Sequence, residues 1–506
     1  MKNNEIKSGA LLGYLNMFAN IIVTLLYTPI MINLLGQSEY GLYSLVASVI
    51  SYLSVLDMGF GNAMIRFVSR SQAKKDKKQE NQINGMFIFL YSIIGIVALI
   101  IGIVLALNIE LIFKSSLTPN ELIKCQKLMM ILVFTVAISF PLSVFDSYVI
   151  ANEKFKFIKI MNIIKTIMQP IAILCVLYLG YKSIAMVILT SFFTILFHII
   201  NLIYCRKKLD MKITIDIKNF DKILLKEIAY YSFFIFLNIV VDNLYNNTDQ
   251  VILGSVSGTI AVSIYAVATK ISSMNTTFST TINGLFLPRI TKTLEEENGE
   301  KKVSDMFIKV SRIQLYIMAL ILSAFIVFGK QFLNMWVGQE YKDAYYIILL
   351  LIGPAIIPLT QNLGITIIQA KNKHAFRSII YIIIAILNIF ISIPLAQKYG
   401  GIGAAIGTAL ATILGQIITM NLYYWKKIKL NIPKYWKNVL SFMLPISIIT
   451  TIAYLVINSV NLNWITLGIS GIIYILPYLL ICYIYANDEE KQFVFNILSK
   501  LRRKKW

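Results

Sequence analysis

The chain is poor in the residues on which metal centres and disulfide frameworks depend. Among its 506 residues are four cysteines and two histidines. Cys125, Cys175, Cys205 and Cys482 show no paired spacing, and three of them lie in or beside apolar segments, so neither a disulfide scaffold nor a metal site is expected. His198 and His374 stand isolated, in the manner of satisfied or interfacial histidines. No G-x-x-x-x-G-K-[ST] loop is present, which removes support for direct ATP hydrolysis. Acidic residues are scarce as well, with 25 Asp and Glu against 47 Lys and Arg. The chain is expected to hold no cofactor and no metal, and to be no enzyme.

Apolar residues are what the chain has in quantity. A hydrophobic content of 57% and a mean hydropathy of +0.71 exceed what a soluble protein of this size can bury. Apolar runs of about 18 residues or more recur along the whole length, so the spanning elements are helices rather than barrel strands. Lys2 and Lys7 precede the run from Ala10, but that run is too long for a signal peptide and lacks an A-x-A site. It reads as an uncleaved first span.

Apolar runs bounded by charge or turn residues predict fourteen transmembrane helices, among them 41–63, 227–255, 260–287, 344–370, 378–397 and 401–425. Positive charge tests the count: 38 of the 47 Lys and Arg fall in alternate segments, seven in the intervening loops, and Lys165 and Lys270 inside spans. One missed helix would flip every later loop, so the bias predicts both termini in the cytoplasm. It also explains the formal charge of +22. Clusters such as 74–78, 206–208 and 502–505 sit where anionic headgroups attract them, and no nucleic-acid partner is implied.

The two halves overlay. At an offset of 222, Leu15-Asn16 meets Leu237-Asn238, Gly36 meets Gly258, and Leu42-Tyr43 meets Ile264-Tyr265. Farther along, Pro141-Leu142-Ser143 resembles Pro358-Leu359-Thr360, and the run from Leu202 to Lys207 resembles that from Leu422 to Lys427. Two six-helix lobes are expected, 10–208 and 227–428, as a parallel repeat. Residues 437–487 supply two additional transmembrane helices, and 488–506 form a basic cytoplasmic tail.

One stretch breaks the apolar pattern most sharply: Asp242 to Gln250. On a helix, Asp242, Asn246, Asp249 and Gln250 share one face. An Asp at mid-membrane costs about 2.5–3.5 kcal/mol, so this face must line a cavity, pair with cations, or do both. Counting 1.5 Å per residue puts Asp242 and Lys270 at similar depth, roughly 10–14 Å from the outer face. A salt bridge between them is expected, either as fixed architecture or as a pair that exchanges with substrate or ion. That would leave Asp249 and the amides to meet the cargo. Asp57, with Arg66 following, lies near the inner end of the second helix, as a polar cap or a gate. Asp146 reads as interfacial, and Arg289 as the inner end of the eighth helix or a recruiter of phosphate.

Several motifs in order carry a resemblance. They are Leu56-Asp57-Met58-Gly59-Phe60-Gly61-Asn62, Asp249-Gln250-Val251-Ile252-Leu253-Gly254 with Tyr265-Ala266, Leu287-Pro288-Arg289, and Tyr399-Gly400-Gly401-Ile402-Gly403-Ala404-Ala405. Over almost its whole length the chain resembles the polysaccharide repeat-unit (O-antigen and capsule) flippases of the multidrug/oligosaccharidyl-lipid/polysaccharide exporter superfamily. That resemblance implies two lobes around a hydrophilic cavity in the bacterial cytoplasmic membrane, moving an oligosaccharide on undecaprenyl diphosphate. It also implies working alongside polysaccharide polymerase or glycosyltransferase machinery. A cavity of this kind needs cations for phosphate and amides for sugar. Lys165, Lys270, Arg66, Arg289, Asn246 and Gln250 are the expected substrate contacts, with Asp57, Asp242 and Asp249 in gating or ion coupling. Rival readings are a cation-coupled drug exporter, a lipid II flippase and, more remotely, a membrane glycosyltransferase or polymer ligase.

Overall fold

The computed structural model describes residues 2–215, 222–280, 286–371, 373–460, 462–488 and 490–492. Every regular element among them is helical. The order is α1 (Lys2–Leu35), α2 (Gln37–Leu53), α3 (Phe60–Ala73), α4 (Lys77–Leu107), α5 (Ile109–Phe113), α6 (Pro119–Ala151), α7 (Phe155–Tyr178), α8 (Ser183–Lys208) and α9 (Lys222–Val256). Then come α10 (Gly258–Thr280), α11 (Leu287–Leu294), α12 (Gly299–Trp336), α13 (Lys342–Thr360), α14 (Asn362–Ala370), α15 (His374–Ala411), α16 (Met420–Lys426), α17 (Ile432–Asn458) and α18 (Trp464–Tyr485).

Among the described residues, twelve segments are long and apolar enough to cross a membrane, which makes this an all-α membrane protein. Three departures from the expected helices have local causes. The segment Gln37–Ala73 does not end at 63, and it is broken where Met58 (φ 50°) and Gly59 (φ 73°) turn left-handed. The segment Phe376–Lys426 holds 51 residues, which would measure about 76 Å if straight, against a hydrocarbon core of about 30 Å. It breaks at Gly400 (φ 55°, ψ −136°), beside the turn expected after 397. The helix α10 is a continuous 23 residues but is not among the twelve apolar segments, since Thr, Ser, Asn and Lys270 dilute its apolar side.

The chain forms two compact units, residues 1–266 with 389–404, and 267–388 with 405–506. The core of the first packs Phe67, Phe87, Tyr91 and Tyr148 from α3, α4 and α6. In the second, Phe307, Leu315, Tyr435, Phe442 and Tyr478 from α12, α17 and α18 come together. Facing away from these cores are continuous apolar stripes. On α4, Ile96, Ile100 and Val104 are exposed while Ala98 between them is buried. On α18, the buried Tyr474 and Tyr478 hold the helix, and Ile465, Ile469, Ile472, Leu476 and Leu480 are exposed. Water would penalise such stripes at roughly 25 cal/mol per Å², and lipid does not.

Two local features occur twice along the chain. Gly36 and Gly258, 222 residues apart, have φ of 88° and 80° at the turns into α2 and α10. The rings of Phe157 and Tyr204 stack at 3.8 Å and 10° in the first unit, and those of Phe376 and Tyr423 at 4.1 Å and 14° in the second.

Candidate functional site

The polar stretch lies within the continuous helix α9, and its amides find partners along that same helix. Asn243 Nδ2 donates to the Ile239 carbonyl at 3.1 Å, Asn246 Nδ2 to the Asp242 carbonyl at 2.7 Å, and Asn247 Nδ2 to Asn243 Oδ1 at 3.2 Å. The expected polar face divides in two. Asp242 and Asn246 are exposed, whereas Thr248, Asp249 and Gln250 are buried.

The buried part is zipped to α2 and to the start of α10. Ser48 Oγ donates to Gln250 Oε1 at 2.8 Å, Tyr52 OH and Thr248 Oγ1 share a hydrogen bond of 2.6 Å, and Tyr265 OH donates to Asp249 Oδ2. Asp249 and Gln250 are therefore held in protein contacts here, not turned to an open space. One turn on, Ser115 Oγ donates to the Ser255 carbonyl at 3.1 Å and Ser116 Oγ to that of Gly254. A knot around Glu121 closes the row. Its Oε1 accepts from Ser38 Oγ at 2.7 Å and from Thr259 Oγ1 at 2.8 Å, and its Oε2 caps the backbone N–H of Thr118 at 2.9 Å. Gly41 makes this approach feasible, since a Cβ there would lie 1.9 Å from the Thr259 carbonyl oxygen.

Toward the other end of α9 the contacts are with α3. Arg70 Nη1 reaches both carboxylate oxygens of Glu227, at 3.0 and 3.2 Å. Arg66 lies with its guanidinium 4.6 Å from the Tyr231 ring centre, a cation–π arrangement. Asp57 marks the break that precedes α3. Its Oδ2 accepts from Gly59 N at 3.1 Å and its Oδ1 from Tyr91 OH at 2.6 Å, so the carboxylate holds the left-handed turn and ties it to α4.

Lys165, on α7, places Nζ 3.3 Å from Thr194 Oγ1 on α8. Close in sequence to Thr194, His198 is a satisfied histidine: its Nδ1 is 2.9 Å from Asp146 Oδ2, and Asn201 Nδ2 donates to Asp146 Oδ1 at 2.6 Å. Asp146 is thus a partnered group between α6 and α8. Lys270 lies partly buried on α10, in the second unit, while Asp242 belongs to the first. Arg289 opens α11 and lines a cavity against α12.

Of two further features, one had part of its signal in the sequence and the other none. The Thr118-x-x-Glu121 spacing is that of a capping box. Nothing local, however, points Glu121 at Ser38 and Thr259, which are 83 and 138 residues away. The Asp146, His198 and Asn201 cluster has no sequence signal, because its members are separated by 55 residues and meet only once α6 and α8 pack.

What the arrangement offers chemically is hydroxyls, amides, carboxylates and a few cations inside an apolar helical body. Such a set suits a cargo with both sugar and phosphate. The "Putative O-antigen transporter" of Escherichia coli strain K12 is 25% identical over 405 residues, 78% of this chain and 90% of that one. The "Probable low-salt glycan biosynthesis flippase Agl15" of Haloferax volcanii is 22% identical over 177 residues, and the match spans 37% of its length. In fold, the chain is similar to the lipid II flippase MurJ in an inward closed conformation, with a TM-score of 0.73 at 19% identity, covering 94% of this chain and 98% of that one. An inward-facing multidrug resistance MATE family transporter follows with a TM-score of 0.61 at 15% identity, covering 83% of this chain and 99% of that one. The model of the family described as "Polysaccharide biosynthesis protein" matches residues 7–294, more than half of the chain, and the chain belongs to that family.

Proposed function

We propose that the chain flips lipid-linked oligosaccharide repeat units from the cytoplasmic to the outer leaflet of the bacterial cytoplasmic membrane, for assembly of a surface polysaccharide. It is a transporter, not an enzyme. The observation that carries the reading is the match, over 90% of its length, to a relative named as an O-antigen transporter. The Haloferax relative's name adds glycan flipping. These names favour an oligosaccharide cargo over a drug.

Fourteen helices cross the membrane with both termini inside, as two six-helix lobes, 10–208 and 227–428, and a C-terminal pair. The charge bias, the break at Gly400 and the polar helix α10 support this count. The carrier is a polyprenyl diphosphate. Lys165, Lys270, Arg66 and Arg289 meet phosphate, Asn246 and Gln250 meet sugar, and Asp57, Asp242 and Asp249 gate or couple the cycle. Alternating access needs the lobes to rock, and the hydroxyl-rich row from Tyr52 to Glu121 is a set of contacts that rocking would break. An apolar cavity of about 270 Å³, lined by Leu322, Ile326, Met443 and Ile446, supports a tail-guiding role for α17. The product passes to polymerase or glycosyltransferase machinery.

The test is to delete the gene and locate the lipid-linked oligosaccharide. Accumulation on the cytoplasmic leaflet is expected. Normal surface polymer with raised drug sensitivity would sink the reading.

A further inference from the structure

Within the second unit, two neighbouring helices are interrupted at one level. The first interruption is Gln361, which parts α13 from α14. The second is a stretch of π-helix, Thr412–Thr419, between α15 and α16. A π turn is a rare local widening of the helix and is frequent at functional sites. Side chains bond to its carbonyls: Thr419 Oγ1 donates to that of Leu414 at 2.8 Å, and Asn421 Nδ2 to that of Ile417 at 2.6 Å.

The two interruptions are joined by a reciprocal amide pair. Gln361 Nε2 donates to Asn421 Oδ1 at 2.9 Å, and Asn421 Nδ2 donates back to Gln361 Oε1 at 3.2 Å. Both side chains are buried, where each amide needs a partner, and each finds one in the other. The first turn of α17 supports both sides of the junction. Trp436 Nε1 donates to Asn421 Oδ1 at 3.2 Å, and Tyr435 OH shares a hydrogen bond of 2.7 Å with Thr360 Oγ1, next to Gln361.

Past the interruptions, α14 and α16 are only nine and seven residues long, and they pack on each other. Gly364 lies against the Tyr424 ring, so closely that a Cβ there would come within 2.8 Å of Cζ. Their far ends are tied as well: Lys371 Nζ donates to the Ile428 carbonyl and Tyr423 OH to that of Lys373, each at 3.1 Å. The pair is held to α12 by the Lys371–Glu300 ion pair at 2.7 Å and by the Phe307 ring, 6.2 Å from that of Tyr424. Hinges are built from a few element-terminal residues that absorb backbone rotation, and both interruptions supply them.

We propose that this junction is a hinge inside the second unit. The helices α14 and α16 swing as one piece about the line from Gln361 to Asn421, with the amide pair as the latch and Tyr435 and Trp436 as the support. Swinging releases Lys371 from Glu300. The cycle proposed above rocks each lobe as a body, and the hinge adds a bend within one of them. The assignment stands on these contacts, and only its use in transport rests on the proposed function. It is therefore read as a distance, without transport.

The experiment attaches nitroxide labels to cysteines in the full chain in nanodiscs, with the four native cysteines replaced, and reads distances by double electron–electron resonance. Gln369→Cys on α14 with Leu422→Cys on α16 reports within the swinging piece, and Gln369→Cys with Leu440→Cys on α17 reports across the hinge; all three positions are exposed. The first pair should keep one narrow distance in every chain. Across the hinge, Q361L should raise the population of a second distance by about three-fold or more, the factor that loss of one or two net hydrogen bonds implies. The exchanged pair Q361N/N421Q keeps both amides and should return that population to within about two-fold of the parent chain's. Should Q361L fail to fold, Trp436→Phe removes a single donor and is expected to raise the population by about two-fold. A lower melting midpoint in Q361L with an unchanged 369–440 distribution would make the pair merely structural and overturn the proposal. Broadening of the 369–422 distance to the same degree as the 369–440 distance would overturn it too.

Discussion

Asp57 and Asp242 are both acids in apolar helices, and they sit in different local settings. Asp57 is tied into a turn: a backbone N–H and Tyr91 OH both donate to it at the left-handed turn before α3. Removing a donor to such a carboxylate costs about 1.5–3 kcal/mol. Tyr91→Phe is therefore expected to lower the unfolding midpoint in detergent, and an unchanged midpoint would show that the bond contributes nothing. Asp242 is on the exposed stretch of α9, and its proposed partner is Lys270. Transport measured for Asp242→Asn, Lys270→Met and the double variant should give a coupling of roughly 0.5–3 kcal/mol. Additive losses would separate the two residues, and survival of transport in each single variant would remove both from any essential role.

Elements were legible where apolar runs were long, and less so where polar residues or breaks intervene. The expected span 227–255 differs little from α9 at Lys222–Val256, because its polar face does not interrupt the helix. By contrast, the expected 344–370 is two helices, α13 and α14, parted at Gln361 after Pro358. Hydropathy does not register a break of this kind, because the sequence stays largely apolar on both sides of it. Site residues were less legible than helices. The polar face of α9 was visible as a pattern, but which half faces protein depends on α2 and on α10, tens or hundreds of residues away. That contact is testable through Gly41, where a side chain would meet the Thr259 carbonyl. Overpacking of about 1–3 kcal/mol from Gly41→Val should reduce the crosslinking rate of the S48C/Q250C pair by roughly ten-fold. An unchanged rate would mean that the row at Tyr52–Glu121 does not depend on this close approach.

At the scale of the whole molecule, the lipid-facing stripes and the charge bias lead to one proposed orientation. It can be probed with single cysteines in a chain whose four native cysteines are replaced by alanine. A cysteine at Lys75 should react only with reagent inside the cell, and one at Lys398 with reagent outside. Labelling of Lys398→Cys from inside alone would mean that the segment Phe376–Lys426 does not cross twice. The account as a whole rests on movement of a lipid-linked oligosaccharide through this chain. The direct measurement is reconstitution of the purified protein in liposomes carrying a polyprenyl-diphosphate-linked oligosaccharide, with a glycosidase outside to report headgroup exposure. Cleavage should pass the half expected for the outer leaflet and approach completion, more slowly in the Lys270→Met variant. Cleavage halting at the outer-leaflet fraction, as in protein-free liposomes, would contradict the account.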